Sequence, residues 1–526
     1  TMEKNFKRHG KHFVYIVQCQ DGTYYAGYTN NIAARIRRHN AGFASKYTRP
    51  RLPVTLAWKK EYRYFKPAFL MEKRIKKLTR KQKELLVGRM RLDKVLSKKN
   101  NPSHLNIGLN AASQPLTRSA SGCQPKVFIK TFGCQMNKRD SEALAGLFLE
   151  RGYSLAQNLQ EADVILVNTC SVREHAENRA ISFLGSLKKL STINYKLLTK
   201  LIIGLIGCMA KNRGEEIFKK MPHIDLICGP ASLGKIPAYV EKIQKEKIRI
   251  IDLEDKSRAE DFYRACFRVE PEYAQVVIST GCSNFCSYCV VPYARGVLRL
   301  RNPQDIIDEV KRNVELGIKK ITLLGQNVND YQFASRFTLH ASRFINFVEL
   351  LKMVEEVEGV EEIDFVTSQP KNTSRELFTF MAQSSRIRKH LHLPFQSGSN
   401  MILELMNRGY SKEKYLSLIK DYKNITGGTL STDVIVGFPT EGEDDFNQTK
   451  EILEEVKFRY AYIFKYSPRP RTEAAKLDDD VTKEIKERRH KILLDLQKQI
   501  SLGYREKCIS SGRLNTRLNL PSKHLT

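Results

Sequence analysis

At 526 residues the chain is too long for one domain and predicts about three or four. A hydrophobic share of 41% excludes wholesale disorder, and no run approaches the roughly 18 apolar residues of a membrane span; the best is Leu201–Ile206. The net charge of +32 is lopsided: residues 1–100 hold 26 Lys or Arg against 6 Asp or Glu, a surplus of 20 that suits a polyphosphate partner. The first residues lack the apolar core of a secretory signal. Eleven cysteines in a cytoplasmic, reducing setting then point to metal or redox chemistry rather than a disulfide framework.

Residues 12–87 read as a small α/β unit. His12–Cys19 predicts a strand, Asp21-Gly22 a hairpin turn and Thr23–Tyr28 a second strand; helical patterns follow over Asn31–His39 and Pro67–Val87. Between about 97 and 124 the composition turns to Ser, Asn, Pro and Gly with almost no periodicity, and residues 88–124 are expected to be a linker. Over 125–245 the apolar runs Val127–Phe132, Val164–Thr169, Leu201–Ile206 and Ile224–Ile227 alternate with helical stretches, the pattern of an open parallel α/β sheet. The broken, basic segment 246–270 predicts a connector. Over 271–500 come strands at Gln275–Ser279, Lys320–Leu324, Glu362–Val366, Lys389–Leu393, Thr429–Val436 and Tyr460–Tyr466, which predict a partial (β/α)6 barrel. The polar run Phe333–Arg343 reads as a loop, and residues 501–526 as a frayed tail beyond Leu502.

The strongest chemical signal is Gly281-Cys282-Ser283-Asn284-Phe285-Cys286-Ser287-Tyr288-Cys289, just past a strand. Three thiols at C-x3-C-x2-C suit one iron–sulfur cube, and three protein ligands for four irons leave one iron open to another molecule. Zinc would need a fourth ligand, and Val290–Gly296 holds neither Cys nor His. In the earlier sheet, Cys134, Cys170 and Cys208 each follow a predicted strand, 36 and 38 residues apart. Parallel strands present their carboxyl ends along one edge, where α/β sheets place ligands, so these thiols are candidates for a second cluster. Spacing alone also nominates Cys228, and cysteines equally pack as small apolar residues at strand ends.

Thr131-Phe-Gly-Cys-Gln-Met-Asn137, Val167-Asn-Thr-Cys-Ser-Val-Arg173, Gly207-Cys-Met-Ala210 and Gly281 to Gly296 occur in that order, followed by Leu324-Gly-Gln-Asn-Val-Asn329, Leu391-His-Leu-Pro-Phe-Gln-Ser-Gly398 and Asp433-Val-Ile-Val-Gly-Phe-Pro439. Together they resemble the MiaB-type tRNA methylthiotransferases, a radical-SAM family. The resemblance implies a radical-SAM 4Fe-4S cluster on Cys282, Cys286 and Cys289. It implies an auxiliary 4Fe-4S cluster on Cys134, Cys170 and Cys208, leaving Cys228 aside. S-adenosylmethionine would then serve in two roles, as radical source and as methyl donor. The substrate so implied is N6-isopentenyladenosine next to the anticodon, methylthiolated at its carbon 2 after the base leaves its stack in the tRNA anticodon stem-loop. Gly325, Gln326 and Asn327 follow the second barrel strand, and Ser368, Gln396, Arg408 and Asp433 sit at or just after later strand ends. These are the implied S-adenosylmethionine contacts. An electron donor such as flavodoxin or ferredoxin, a monomeric state and no membrane partner belong to the same expectation.

Gln135-Met136-Asn137 and Gln326-Asn327-Val328-Asn329 favour the isopentenyladenosine branch over those acting on another tRNA adenosine or on a ribosomal protein. Gln369 departs from the family, which commonly has His in that Thr-Ser-x-Pro stretch. The family's small C-terminal RNA-gripping β-barrel is expected to be absent or truncated, because the sequence from Cys508 onward looks unlike the family.

Near the N-terminus, Val14-Tyr15-Ile16, Tyr25-Ala26-Gly27-Tyr28-Thr29, Arg35 with Arg38-His39-Asn40, and Ala68 through Glu72 to Lys76 resemble the GIY-YIG endonuclease-like proteins. Both eponymous triplets are altered and both tyrosines are kept. The resemblance implies that Tyr15 and Tyr25 lie near a scissile phosphate of DNA or RNA, that Arg35 stabilises it and that Glu72 holds a divalent metal ion. On residue type alone, Glu72 equally pairs with Lys73, Arg74, Lys76 or Lys77 along a helix. Two readings follow. One is a methylthiotransferase carrying a module that binds or cleaves nucleic acid. The other is a metal-dependent nuclease whose iron–sulfur body is an RNA-binding scaffold. Six candidate thiols favour the first, because a scaffold needs no open iron.

Overall fold

The computed structural model describes residues 9–45, 47–64, 68, 71–72, 75–76, 78, 80–87, 124–172, 174–193, 201–255, 262–264, 267–338 and 341–510. The chain divides into two compact units, 1–117 and 118–526. No helix among the described residues is long and apolar enough to cross a membrane.

In the first unit, β1 (His9–Cys19) pairs antiparallel with β2 (Tyr24–Thr29) on one side and β3 (Val54–Tyr64) on the other. Strand alternation sends Val14 and Ile16 to one face, with Ala26, Ala68, Ile75 and Leu86, and sends Tyr15, Val17 and Cys19 to the other. Asn31 caps α1 (Ile32–Asn40) by accepting from the Ala34 amide at 3.0 Å. Of the helix expected over 67–87, residues 68, 71–72 and 75–76 are helical, as is α2 (Arg80–Val87). The third strand is absent from the sequence reading: the charged run Lys59-Lys60-Glu61, suited to an exposed edge strand, hides its alternation. The linker expected over 88–124 lies outside the described residues except for Gln124.

The second unit opens with a six-stranded parallel sheet in the order β5-β4-β6-β7-β8-β9. Its strands are β4 (Lys126–Phe132), β5 (Ser154–Leu155), β6 (Val164–Thr169), β7 (Ile202–Gly207), β8 (Leu226–Cys228) and β9 (Ile250–Asp252). Helices α3 (Gln135–Glu150), α4 (Glu174–Ile193), α5 (Cys208–Lys220) and α6 (Ile236–Glu246) connect them. All six residues of β6 and of β7 are buried, as expected for central strands covered on both faces. The expected connector 246–270 is corrected by β9, whose two isoleucines, Ile250 and Ile251, form a strand too short to show periodicity.

The barrel is built from β10 (Tyr273–Val277), β13 (Lys320–Leu324) and β16 (Glu362–Phe365) as one parallel sheet, and β17 (His390–His392), β18 (Thr429–Val436) and β19 (Tyr460–Lys465) as another. A parallel bridge between Ile363 and Ile387 joins the two arcs. Helices α8 (Pro303–Glu315), α9 (Phe347–Glu355), α10 (Arg375–Gln383), α12 (Lys412–Thr426) and α13 (Glu443–Val456) supply the outer layer of one continuous apolar core. Between β10 and α8 lie two short paired strands, β11 (Ser279–Thr280) and β12 (Arg299–Leu300), and the helix α7 (Val291–Arg295); α11 (Asn400–Leu405) follows β17.

Two further expectations are corrected. The described residues of 333–343 are strand rather than loop: β14 (Gln332–Thr338) pairs antiparallel with β15 (Ala341–Asn346), with Phe333 opposite Ile345 and both packed on the barrel core. The tail does not begin at Leu502, because α14 (Lys483–Ser510) runs on, with the Tyr504 hydroxyl donating to Lys457 O at 2.8 Å. Residues 511–526 lie outside the described residues.

Candidate functional site

The local thiols sit on a loop whose ends are tied by β11 and β12. Inside it, the Cys282 amide donates to Gly296 O at 3.1 Å and the Cys289 amide to Cys286 O at 2.9 Å. Gly281 has a φ of 71°, and a Cβ there would strike the Val297 carbonyl. Burial pushes the Cys289 thiol up to about 12 and also raises Cys282. These are thiols that ionise only against a compensating cation, as a metal ligand does. Arg408 Nη1 donates to Cys286 Sγ at 3.3 Å, and the Asn284 amide donates to Cys282 Sγ at 3.4 Å.

Polar groups gather at the strand ends beside this loop. Gly325 follows β13, and a Cβ there would lie 2.5 Å from Ser279 Oγ. Ser279 Oγ, Asn327 Oδ1 and Ser368 Oγ are buried with no hydrogen-bond partner. Burying such atoms without a partner costs about 1–3 kcal/mol each, so they mark a place for a polar ligand. Gln326 is half-buried beside them. Gln369 accepts from Asn327 Nδ2 at 3.3 Å and donates to Arg408 O at 3.5 Å, so the residue that departs from the family ties two strand-end loops together. Gln396 is buried at a φ of 67°, its amide donating to Asp433 O at 3.0 Å. The strand-end placement of Asp433 and Arg408 is corrected. Asp433 lies within β18, its carboxylate 3.5 Å from His392, and Arg408 follows α11 rather than a strand.

The dispersed thiols are aligned by sheet register. Phe132 of β4 is level with Thr169 of β6, and Thr169 with Gly207 of β7. Cys170 and Cys208 therefore follow their strands at the same level, and Gly133 inserts one residue before Cys134. That glycine has a φ of 148°, and a Cβ would come within 2.5 Å of Cys170 Cβ. Cys134 and Cys170 hydrogen-bond to each other, which draws the Cys134 thiol down and pushes Cys170 up. Asn137 accepts from Cys134 Sγ at 3.1 Å and donates to Asn168 Oδ1 at 2.9 Å, bracing the edge. Cys228 lies two residues short of the Cys208 level, opposite Ile206, and is fully buried in the apolar core. Among the described residues no His, Cys, Asp or Glu group would hold a single metal ion.

Sequence reasoning passed over a buried charged seam between sheet and barrel. Arg139, Arg268 and Arg301 converge on Glu309 at 3.2, 2.7 and 2.7 Å, and Arg295 pairs with Asp140 at 2.6 Å. A signal existed: Asp140 falls midway between Met136 and Leu144 on the buried stripe of α3.

In the N-terminal unit, Arg35 Nε donates to the Tyr15 hydroxyl at 3.0 Å, and that hydroxyl lies 2.9 Å from His39 Nε2. His39 Nδ1 meets Thr48 Oγ1 at 2.8 Å. Burial holds His39 down at about 4, so its ring is neutral near pH 7, and burial raises Tyr15. Tyr25 packs edge-on to His39 with ring centroids 5.4 Å apart. Glu72 pairs with Lys76 at 2.7 Å; Lys73, Arg74 and Lys77 lie outside the described residues. His39 and Thr48 join this cluster without having been assigned a role from sequence.

Residues 126–229 match the Uncharacterized protein family UPF0004, residues 276–453 the Radical SAM superfamily, and residues 11–85 the GIY-YIG catalytic domain. The tRNA-2-methylthio-N(6)-dimethylallyladenosine synthase of Clostridium novyi is 42% identical over 378 residues, covering 71% of this chain and 81% of the relative. The enzyme of the same name from Moorella thermoacetica is 43% identical over 383 residues, covering 72% and 84%. The solution structure of a UPF0213 protein from Bacillus halodurans is 35% identical, covering 17% of this chain and 94% of that one at a TM-score of 0.12. Membership of the radical-SAM superfamily brings a 4Fe-4S cluster and S-adenosylmethionine with it. The chain belongs to the MiaB-type tRNA methylthiotransferase family and carries a GIY-YIG domain ahead of the methylthiotransferase body.

Proposed function

We propose that the chain methylthiolates carbon 2 of N6-isopentenyladenosine next to the anticodon of tRNA, with one 4Fe-4S cluster on Cys282, Cys286 and Cys289 and a second on Cys134, Cys170 and Cys208. The observation that carries this reading is the register Phe132–Thr169–Gly207, which brings Cys170 and Cys208 level at one sheet edge, with Cys134 one residue further along, in the same compact unit that holds the loop thiols. The residues fit the groups: Cys170, Cys208 and Cys286 are buried and Cys134, Cys282 and Cys289 half-buried, and the unpartnered Ser279, Asn327 and Ser368 oxygens lie at strand ends where Gly325 leaves room for a ligand. When bound, the clusters and S-adenosylmethionine supply the radical, the sulfur and the methyl group. Gly325, Gln326, Asn327 and Ser368 then orient the cofactor's polar end, while Arg408 donates to the Cys286 sulfur. Gln396, bridged to Val434, and Asp433, 3.5 Å from His392, complete the proposed cofactor contacts. An electron donor of the flavodoxin or ferredoxin class, a monomeric state and a cytoplasmic setting complete the proposal.

Anaerobic reconstitution followed by turnover with isopentenylated tRNA tests it. About eight irons per chain, 5′-deoxyadenosine and a methylthio mass increment on the nucleoside are expected. About four irons and no 5′-deoxyadenosine would sink it.

For the N-terminal unit the Arg35–Tyr15–His39 cluster favours a module that binds or cleaves DNA or RNA, with Glu72, paired here with Lys76, holding a divalent metal where it cleaves. Glu72→Ala is expected to abolish metal-dependent nicking; unchanged cleavage would refute the metal role.

A further inference from the structure

Arg295 links the two thiol-bearing segments. It ends α7, six residues after Cys289, and so belongs in sequence to the loop that carries the local triad. Its side chain is 4% exposed and donates to Asp140 Oδ2 at 2.6 Å, a fully buried carboxylate six residues after Cys134 on α3. The Tyr263 hydroxyl donates to the other oxygen of Asp140 at 2.7 Å, so the carboxylate is fixed from both sides. α7 packs against α5, whose first residue is Cys208. The guanidinium is also near enough to Cys208 and Cys134 for its charge to act on both thiols. The neighbouring Arg139, Arg268 and Arg301 are instead turned to Glu309. A guanidinium is a rigid fork, able to hold a carboxylate with one N–H and reach a sulfur with another. Hydrogen bonds to cluster sulfurs and nearby positive charge favour the reduced, more negative state of an iron–sulfur centre.

We propose that Arg295 is a positioning residue that the local-triad segment contributes to the auxiliary cluster, donating to its sulfur shell and raising its reduction potential while the ion pair with Asp140 holds the two thiol sets in register. The proposal rests on the reading of Cys134, Cys170 and Cys208 as cluster ligands. The test is a reductive titration of the reconstituted full chain followed by electron paramagnetic resonance. The radical-SAM cluster is told apart by the change that S-adenosylmethionine makes to its signal. Arg295→Gln is expected to shift the auxiliary one-electron equilibrium about tenfold toward the oxidised form, 59 mV lower in midpoint, with the other cluster unmoved. Arg295→Lys keeps the charge and is expected to shift it less. An unmoved auxiliary midpoint, equal shifts in both variants, or a shift confined to the other cluster overturns the proposal. Should Arg295→Gln lose the auxiliary irons, retention in Arg295→Lys with a lowered midpoint supports it, and loss in both leaves only a structural role. A parent protein with about four irons would instead refute the ligand reading, before Arg295 is at issue.

Discussion

Cys282, Cys286 and Cys289 fall within eight consecutive residues, on a loop tied by its own backbone hydrogen bonds. Cys134, Cys170 and Cys208 come from three βα units, and only the pairing of β4 with β6 and β6 with β7 makes them neighbours. The first arrangement needs a correct loop; the second needs a correct sheet. A one-residue slip between parallel strands would turn the edge residues over and separate the dispersed thiols while leaving the local ones untouched. The two sites should therefore fail in different ways.

The sharpest way to break that comparison is to remove one thiol from each set. Cys286→Ala is expected to abolish both 5′-deoxyadenosine formation and the methylthio product, and Cys170→Ala to abolish the product alone. Mass spectrometry of nucleosides and 5′-deoxyadenosine from one reaction reads both. If Cys170→Ala also stops 5′-deoxyadenosine formation, the sites do not divide the chemistry as proposed.

Next in size are the glycines before each set. At Gly133 and Gly281 a positive φ and a blocked Cβ act together, and alanine should cost about 1–3 kcal/mol of backbone strain before any clash. Gly281→Ala is expected to deplete the local cluster only. Gly133→Ala pushes against Cys170 from the neighbouring strand, so it should lower both auxiliary iron and Tm. Iron per chain and a thermal melt distinguish the two outcomes, and equal Tm losses would erase the local-against-global distinction. Arg408→Ala should do less: losing a charged donor to Cys286 costs roughly 1.5–3 kcal/mol. That predicts 5′-deoxyadenosine formation slowed by about tenfold to a hundredfold with iron retained.

Legibility from sequence follows the same division. Local thiol spacing is written in one stretch of chain, and β6, β13 and β18 are apolar enough that their sequence bounds coincide with the strands. By spacing alone the dispersed triad is one choice among four cysteines, and the family resemblance selects three of them. The physical reason for setting Cys228 aside, its position opposite Ile206, is a register and has no signature within one strand. The strand pair β14–β15 was missed because its polar residues mask Phe333 and Ile345, which face each other only once the strands pair. Arg295 and Asp140 are 155 residues apart, and nothing in either neighbourhood announces the other.

The smallest expected effect concerns the barrel wall against the sheet edge. Burial holds His390, on β17, down at about 3, with His392 and the nearby Arg388 and Arg459 adding to the same direction. Its ring sits between the Thr429 and Ser431 hydroxyls at 2.8 and 3.0 Å. The unfolded chain takes up this proton near 6.5 and the folded one only near 3, so between those values unfolding binds the extra proton and stability rises with pH. Acidification from pH 6.5 to 5.5 should remove roughly 1 kcal/mol of this histidine's contribution, felt where β17 meets β18, while Glu441, which burial raises to about 7, takes up its proton in the folded barrel and acts in the opposite direction. Amide hydrogen exchange, corrected for its intrinsic pH dependence, should therefore speed up in β17 and β18 and not in β6 and β7. His390→Gln should flatten the difference. Equal acceleration in both sheets would mean that the barrel wall and the thiol-bearing sheet open as one unit, and that the dispersed triad shares the barrel's weakness instead of having its own.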